Sequence, residues 1–274
     1  MARALYYEYT NQVEPFGLDE CYLDVTGSLH LFGSGEEIAH EIRNRMKEEL
    51  GLTVSIGVSF CKIFAKLGSD MKKPDAVTII TEDNFKEKVW PLGVREMVGI
   101  GKATEKKLNK IGIFSLGDLA HAPAETLKSL LGINGVYLWQ YANGLDIRPI
   151  VDRDHTEPIK SIGNSSTCKR DLHSNEEVFN VMQELSFSVS RRLREAKLEA
   201  RSVEVFVRNN QLQSWNFAIP LEMASQSSII LVRRAMEIFK KKYNWSFPVR
   251  AVGIRAINLR NEGGGSQMDV LSLI

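Results

Sequence analysis

The chain has 274 residues, of which 43% are apolar and 25% charged, and a formal net charge of +1; this length and composition predict two or three water-soluble globular domains. No run approaches the roughly 20 apolar residues of a membrane-spanning helix, and Met1-Ala2-Arg3-Ala4-Leu5 lacks the apolar core of a secretion signal. Cys21, Cys61 and Cys168 are too widely spaced for a CxxC or zinc pattern, which fits a reducing, cytoplasmic compartment.

In chain order, residues 18–26 read as a strand. Ile38, Ile42, Met46 and Leu50 recur at four-residue spacing, so Gly35–Leu50 is predicted as an amphipathic helix ended by Gly51. Leu52–Ser59 is apolar and β-branched, a buried strand; Lys62–Met71 reads as helix stopped by Pro74, and Ala76–Thr81 as another strand. This βαβαβ pattern predicts a sheet with helices packed on it. From Pro91 to Gly144 short helices separated by glycines take over, around 104–110, 116–120, 124–130 and 137–142. Residues 145–159 contain two prolines and no periodicity, so they read as a linker. Strand 161–170, helix 175–198, strands 201–208 and 212–219, helix 227–243 and strand 249–259 follow. That order, β-α-β-β-α-β, predicts a four-stranded antiparallel sheet with two helices on one face and the other face open. The fold class is therefore α+β, and the Gly-rich segment 261–274 is expected to be a flexible tail.

Charge divides along the same line. Residues 160–274 carry 17 Lys+Arg against 11 Asp+Glu, a net of +6, and residues 1–159 carry 18 against 23, a net of −5. A basic C-terminal part points to a polyanionic partner, with chance clustering as the bland alternative.

Three motifs carry chemistry. In VEPFGLDECYLDVT the adjacent carboxylates Asp19 and Glu20 reach one metal only if the strand starts at a sharp turn, and Pro15 and Gly17 make such a turn. Hard oxygen ligands of this kind suit Mg²⁺ held with substrate phosphates; taken alone, a solvated acidic pair explains them as well. In SFCKIFAKLGSDMKKP, lysines near a helix end suit phosphate oxygens or simply form a basic face. In MVGIGKATEKKL, Gly99-Ile100-Gly101 followed by a helix is a helix-hairpin-helix signature. Its backbone approaches a phosphate closely, and Lys102, Lys106 and Lys107 add sequence-independent attraction. A tight ligand-free turn is the alternative.

In this order the motifs resemble the Y-family, translesion DNA polymerases of the DinB/UmuC type, the impB/mucB/samB group. VEPFGLDECYLDVT resembles the catalytic palm motif, GVSFCKIFAKLGSDMKKPD the strand and helix after it, and VGIGKATEKKL the thumb hairpin; KSIGNSSTCKRDL resembles the opening of the DNA-binding little finger and VRAVGIRAINL its last strand. The resemblance implies a partial palm over 1–90, a helical thumb over 91–147, a linker over 148–159, a little finger over 160–260 and a tail over 261–274. It implies that Asp19 and Glu20 are catalytic ligands of two Mg²⁺ ions and that Lys73 contacts the incoming dNTP. It places Gly99, Ile100, Gly101 and Lys102 on a DNA phosphate, and Lys160, Ser161, Ser165, Ser166, Thr167, Arg170, Arg250 and Arg255 along the primer-template backbone. Gln267, Met268 and Leu271 resemble a peptide that attaches such polymerases to the sliding clamp. The implied activity is template-directed DNA synthesis past damaged bases, in the DNA repair and SOS response, by a cytoplasmic monomer with no membrane partner.

Gly17 departs from the family's usual serine, which bears on the turn that aims Asp19, and Asp75-Ala76 replaces an Asn-Gly or Asp-Gly turn. The family's first strand, which carries another metal-binding aspartate, and its fingers domain have no counterpart before Tyr6. The expectation is thus a truncated, inactive fragment. Two further readings stay open: a non-catalytic DNA-binding module that modulates replication or repair, and a helix-hairpin-helix nuclease, disfavoured because the β-α-β-β-α-β unit has no role there.

Overall fold

The computed structural model describes residues 2–152 and 157–263. It forms two compact units, Met1–His155 and Thr156–Ile274.

In the first unit, helix α1 (Ala2–Tyr6) leads to a hairpin of β1 (Val13–Phe16) and β2 (Glu20–Leu23). The arms run antiparallel, with Val13 opposite Leu23 and Phe16 opposite Glu20. Gly17 begins the turn between them at φ +71°, a left-handed value that a residue without Cβ adopts freely. The continuous strand expected over 18–26 is thus a turn followed by the second arm of a hairpin. Helix α2 (Leu29–Phe32) precedes α3 (Gly35–Leu50). Helix α3 starts at a reciprocal cap: Ser34 Oγ accepts the Glu37 N–H at 3.2 Å, and the Glu37 carboxylate accepts the Ser34 N–H at 2.6 Å. Its Ile38, Ile42 and Met46 pack with Leu5 and Tyr9 into a small core.

Strand β3 (Ile56–Ser59), helix α4 (Lys62–Met71) and strand β4 (Val77–Ile80) form a βαβ unit with the strands parallel, Ile56 opposite Val77. Helix α4 sits so close to β3 that a Cβ at Gly57 would collide with the Ala65 carbonyl oxygen and come within 2.6 Å of the Ser69 nitrogen. The two strand pairs are separate two-stranded sheets, not the single sheet expected from the βαβαβ pattern. Periodicity reports that strands exist but not which edges join, and here β2 and β3 both line a cleft instead of pairing.

Helices α5 (Phe85–Val89), α6 (Lys102–Asn109), α7 (Leu116–His121), α8 (Ala124–Leu131) and α9 (Ile133–Ala142) complete this unit. One core joins α4 to them: Phe64 and Leu67 are buried with Ile80, Leu108, Leu116, Leu127 and Ala142. Phe64 stacks on Phe85 at 5.4 Å, Phe85 meets Trp90 edge-on at 5.9 Å, and the Trp90 indole donates to the Ala142 carbonyl at 3.1 Å. The apolar core therefore runs on past residue 90.

The second unit has the elements β5 (Ser161–Leu172), α10 (Asn175–Glu195), β6 (Leu198–Asn209), β7 (Ser214–Ser225), α11 (Ser228–Lys242) and β8 (Val249–Asn261). Its sheet is antiparallel in the order β5-β8-β6-β7. Val203, Val205 and Val207 alternate toward α10 and α11 and are fully buried with Val178, Met182, Leu193, Leu231 and Phe239. Among the described residues no helix is long and apolar enough to cross a membrane. The tail residues Gln267, Met268 and Leu271 lie outside the described residues.

Candidate active site

The β1–β2 turn settles how adjacent carboxylates can serve one site. The turn Gly17-Leu18-Asp19 ends at the first residue of β2, so Asp19 sits exposed at the tip and Glu20 half-buried at its base. Both line one cleft of about 680 Å³ in the first unit, together with Lys62, Lys66, Lys73 and Arg148. Residues 53–59 and 21–25 also line it, and Ile38, Ala39, Ile42 and Ala65 supply apolar lining.

Helix α4 arrays the lysines. Lys66 bridges Glu20 at 3.0 Å and Asp70 at 2.6 Å, and Lys73 pairs with the same Asp70 at 2.7 Å. Burial pushes the Asp70 carboxyl up, but hydrogen bonds from Lys66 and Lys73 outweigh it and hold the group below the usual carboxylate range. Burial likewise pulls the Lys66 ammonium down, and its two carboxylate partners raise it overall. Lys62 is more enclosed, with 9% of its side chain exposed, and its ammonium lies 2.5 Å from Glu14. The Asp75 turn is held from α3, by Lys47 at 3.0 Å and Arg43 at 3.6 Å.

Asp19 and Glu20 are two hard oxygen donors from neighbouring residues beside four cationic side chains. That donor set fits Mg²⁺, which keeps part of its water shell and shares ligands with substrate phosphates. Among the described residues no three His, Cys, Asp or Glu side chains stand together as a complete metal site.

The helix-hairpin-helix loop lies in the same unit. Gly99 has φ +93° and Gly101 caps α6 without a side-chain acceptor, while Ile100 between them is 5% exposed in the core with Met97 and Leu108. The buried Ile100 anchors the loop and leaves the backbone of Gly99, Gly101 and the α6 start facing out beside exposed Lys102, Lys106 and Lys107.

In the second unit, strand register sorts the expected DNA contacts. Ser161, Gly163, Ser165 and Thr167 stand opposite Ile257, Arg255, Gly253 and Ala251, and Glu204 and Arg208 stand opposite Arg255 and Ala251. These residues share the sheet face away from the helices. Arg255 pairs with Glu204 at 3.2 Å, and Arg208 donates to Ser214 at 2.9 Å and lies over Phe206. Ser166 has the opposite parity, opposite Val252 of the core. Arg170 pairs with Glu177 of α10 at 2.7 Å, and Arg250 faces Asp171 at 3.8 Å where the β5–β8 register shifts. Lys160 is exposed just before β5. The open face therefore unites Ser161, Ser165, Thr167 and Arg255, while Ser166, Arg170 and Arg250 lie off it. The sequence reading did not single out Arg148 for the cleft; its only sequence signal was a basic residue beside a proline.

Comparison with known proteins matches this layout segment by segment. The impB/mucB/samB family pattern matches residues 2–70, the IMS family HHH motif residues 82–113, and the impB/mucB/samB family C-terminal domain residues 159–270. DNA polymerase IV of Acetivibrio thermocellus is 48% identical over 271 residues, covering 99% of this chain and 68% of the relative. DNA polymerase IV 1 of Bacillus subtilis is 38% identical over 266 residues, covering 97% and 64%. The chain thus spans about two thirds of the length of the curated relatives it matches. A solved Y-family DNA polymerase chimera superposes with a TM-score of 0.82 at 21% identity, covering 95% of this chain and 75% of the chimera, a likeness of fold. The chain belongs to the impB/mucB/samB family, the DinB-like Y-family DNA polymerases.

Proposed function

We propose that this chain supplies the carboxylate-bearing palm portion, helix-hairpin-helix thumb and little finger of a polymerase that copies primer-template DNA past damaged bases. The observation that carries this reading is the hairpin turn that brings Asp19 and Glu20 to a cleft lined by Lys62, Lys66, Lys73 and Arg148. In that cleft Asp19 and Glu20 would hold Mg²⁺. When bound, the ion neutralises charge on the phosphoryl oxygens and aligns the attacking and leaving oxygens. The lysines and Arg148 draw an incoming dNTP triphosphate to the cleft through charge-assisted hydrogen bonds. Glu20 is free to exchange partners because Lys66 keeps Asp70 as a second acceptor. The Gly99–Gly101 loop and the open sheet face, with Ser161, Ser165, Thr167, Arg208 and Arg255, grip the phosphate backbone without reading sequence.

Two adjacent carboxylates without a third nearby ligand among the described residues support a further point: this chain by itself sustains no more than trace nucleotide incorporation. The same observation favours the second reading, a DNA-binding module that acts without catalysis. In these proposals the protein is a cytoplasmic monomer, and Gln267, Met268 and Leu271 attach it to the sliding clamp.

Template-directed primer extension with Mg²⁺ and dNTPs tests the reading. The expected result is trace extension alongside salt-sensitive binding of primer-template DNA. Robust extension that Asp19→Ala or Glu20→Ala abolishes would overturn the inactivity and keep the polymerase assignment. Loss of DNA binding at every salt concentration would overturn both readings.

A further inference from the structure

An isolated two-stranded hairpin is marginal in water, yet β1–β2 must aim Asp19 and Glu20. Each arm is four residues long, and within β1 only Val13 is buried. The tip is open, with Leu18 98% exposed. Something outside the hairpin must therefore fix it.

The residues after α9 do so. The Val151 N–H donates to Glu14 Oε2 at 3.1 Å, the same oxygen that holds the enclosed Lys62 ammonium at 2.5 Å. Asp152 accepts the Asn11 side-chain amide at 3.1 Å, just before β1. At the other end of the segment Asp146, whose side chain is 1% exposed, takes Arg148 bidentately at 2.7 and 2.8 Å. The Ile63 backbone N–H lies near Asp146 and helps hold its carboxyl below the usual range. That group belongs to the first turn of α4, so Asp146 lies beside the start of that helix from a distant part of the chain. Arg148 lies over the Tyr141 ring of α9 at 4.8 Å. Six residues thus tie the end of the thumb helices, the start of the lysine helix and the carboxylate hairpin together.

We propose that Asp146–Val151 is a strap that positions the carboxylate hairpin, with Glu14, Lys62 and Asp146 as its positioning residues. That the hairpin bears metal-binding groups rests on the proposed function; that the strap holds the hairpin does not. A displacement of α9 would reach Asp19 and Glu20 through this strap.

The protein's own thiols report on it. Cys21 is half-buried in β2, Cys61 is buried at the start of α4, and Cys168 lies in β5 of the second unit. The experiment is labelling of the full chain with a thiol reagent under native conditions, with each site read by mass spectrometry. Glu14→Ala should speed labelling of Cys21 about tenfold or more, by releasing a local opening that the native contacts suppress, and leave Cys168 unchanged. Asp146→Ala, which removes the acceptor for Arg148, should speed both Cys21 and Cys61. Glu14→Gln, which keeps an oxygen acceptor for Val151 and Lys62, should restore Cys21 to within about threefold of the native rate.

A Cys21 rate unchanged in Glu14→Ala and Asp146→Ala overturns the strap. If Glu14→Ala also speeds Cys168, Val151→Pro decides, since it removes the donated N–H while leaving every side chain of the hairpin in place: faster Cys21 alone supports the strap and an unchanged rate overturns it. A Mn²⁺ titration followed by electron paramagnetic resonance separates the two claims. Weaker Mn²⁺ binding in Glu14→Ala supports a strap that serves Asp19 and Glu20. Faster Cys21 labelling with no Mn²⁺ binding in any variant leaves the strap standing and overturns the metal assignment.

Discussion

The two units solve one problem, burying a sheet, in opposite ways. In the second, four long strands share a continuous ladder and one apolar core under two helices. In the first, four strands of four residues each remain as two separate pairs, and two distinct cores lie beside them. Carboxylates and cations bridge what the ladder does not. Apolar burial is indifferent to pH and non-directional, so it makes a rigid platform. Ion pairs with exposed ends respond to protons and salt, and they leave side chains able to change partners. The unit that holds Asp19 and Glu20 is the polar-bridged one.

The sharpest way to break this contrast is to attack each unit by its own means. Phe239 is fully buried and stacks on Tyr243 at 5.3 Å. Phe239→Ala should destabilise the second unit by about 3–5 kcal/mol, read as faster amide exchange throughout residues 161–261 with the first unit's exchange unchanged. Glu14→Ala should destabilise the first unit by about 2 kcal/mol, because it leaves the Lys62 ammonium enclosed and unpaired; that is below the usual figure for a buried pair because Glu14 is partly exposed. Chemical denaturation followed unit by unit checks this, and equal losses in both units would erase the distinction.

Acid should sharpen the contrast. Burial raises the Glu14 carboxyl, but Lys62 and the Val151 N–H lower it more; burial raises that of Asp146, and Arg148 more than offsets it. Carboxyls held below their unfolded values add stability that is fully present above those values and is lost as pH falls through the folded ones. The first unit should therefore weaken progressively from about pH 5 downward, and Glu14→Gln should flatten the early part of that loss in a pH series of melting curves. The smallest effect on stability is at the open sheet face. Arg255→Ala removes a partly exposed pair with Glu204 and should change stability by less than about 0.5 kcal/mol. It should nevertheless reduce the salt slope of DNA binding by about one unit, measured by anisotropy titration across salt concentrations.

Legibility in the sequence follows the same division. Helix Gly35–Leu50 matched its expected ends because spacing, cap and terminating glycine are all local. The β-α-β-β-α-β order of the second unit was readable because each strand alternates cleanly and each connection is short. Asp19 and Glu20 were singled out through a motif and Lys73 through the family resemblance, and all three line one cleft. The separation of β2 from β3 left no mark, since edge pairing has no periodicity. Residues 145–159 read as a linker from Pro149 and the irregular pattern, which are real, but Val151 is held by a Glu14 carboxylate 137 residues away. Long-range polar contacts between single residues are invisible to any window along the chain.

One small feature sets the scale of the whole cleft. Because position 57 carries no side chain, α4 rests against the β3 backbone itself. Lys62 and Lys66 project from that helix, and Lys73 is the second residue after its end. Their common distance from the carboxylate hairpin is therefore gauged by a missing methyl group. Any residue larger than glycine there would lift the two helical lysines outward in concert, leaving each charge and ion pair chemically intact while changing the span of the anion it could reach. In this protein the calibration of a charged site is stored in an uncharged position of its wall.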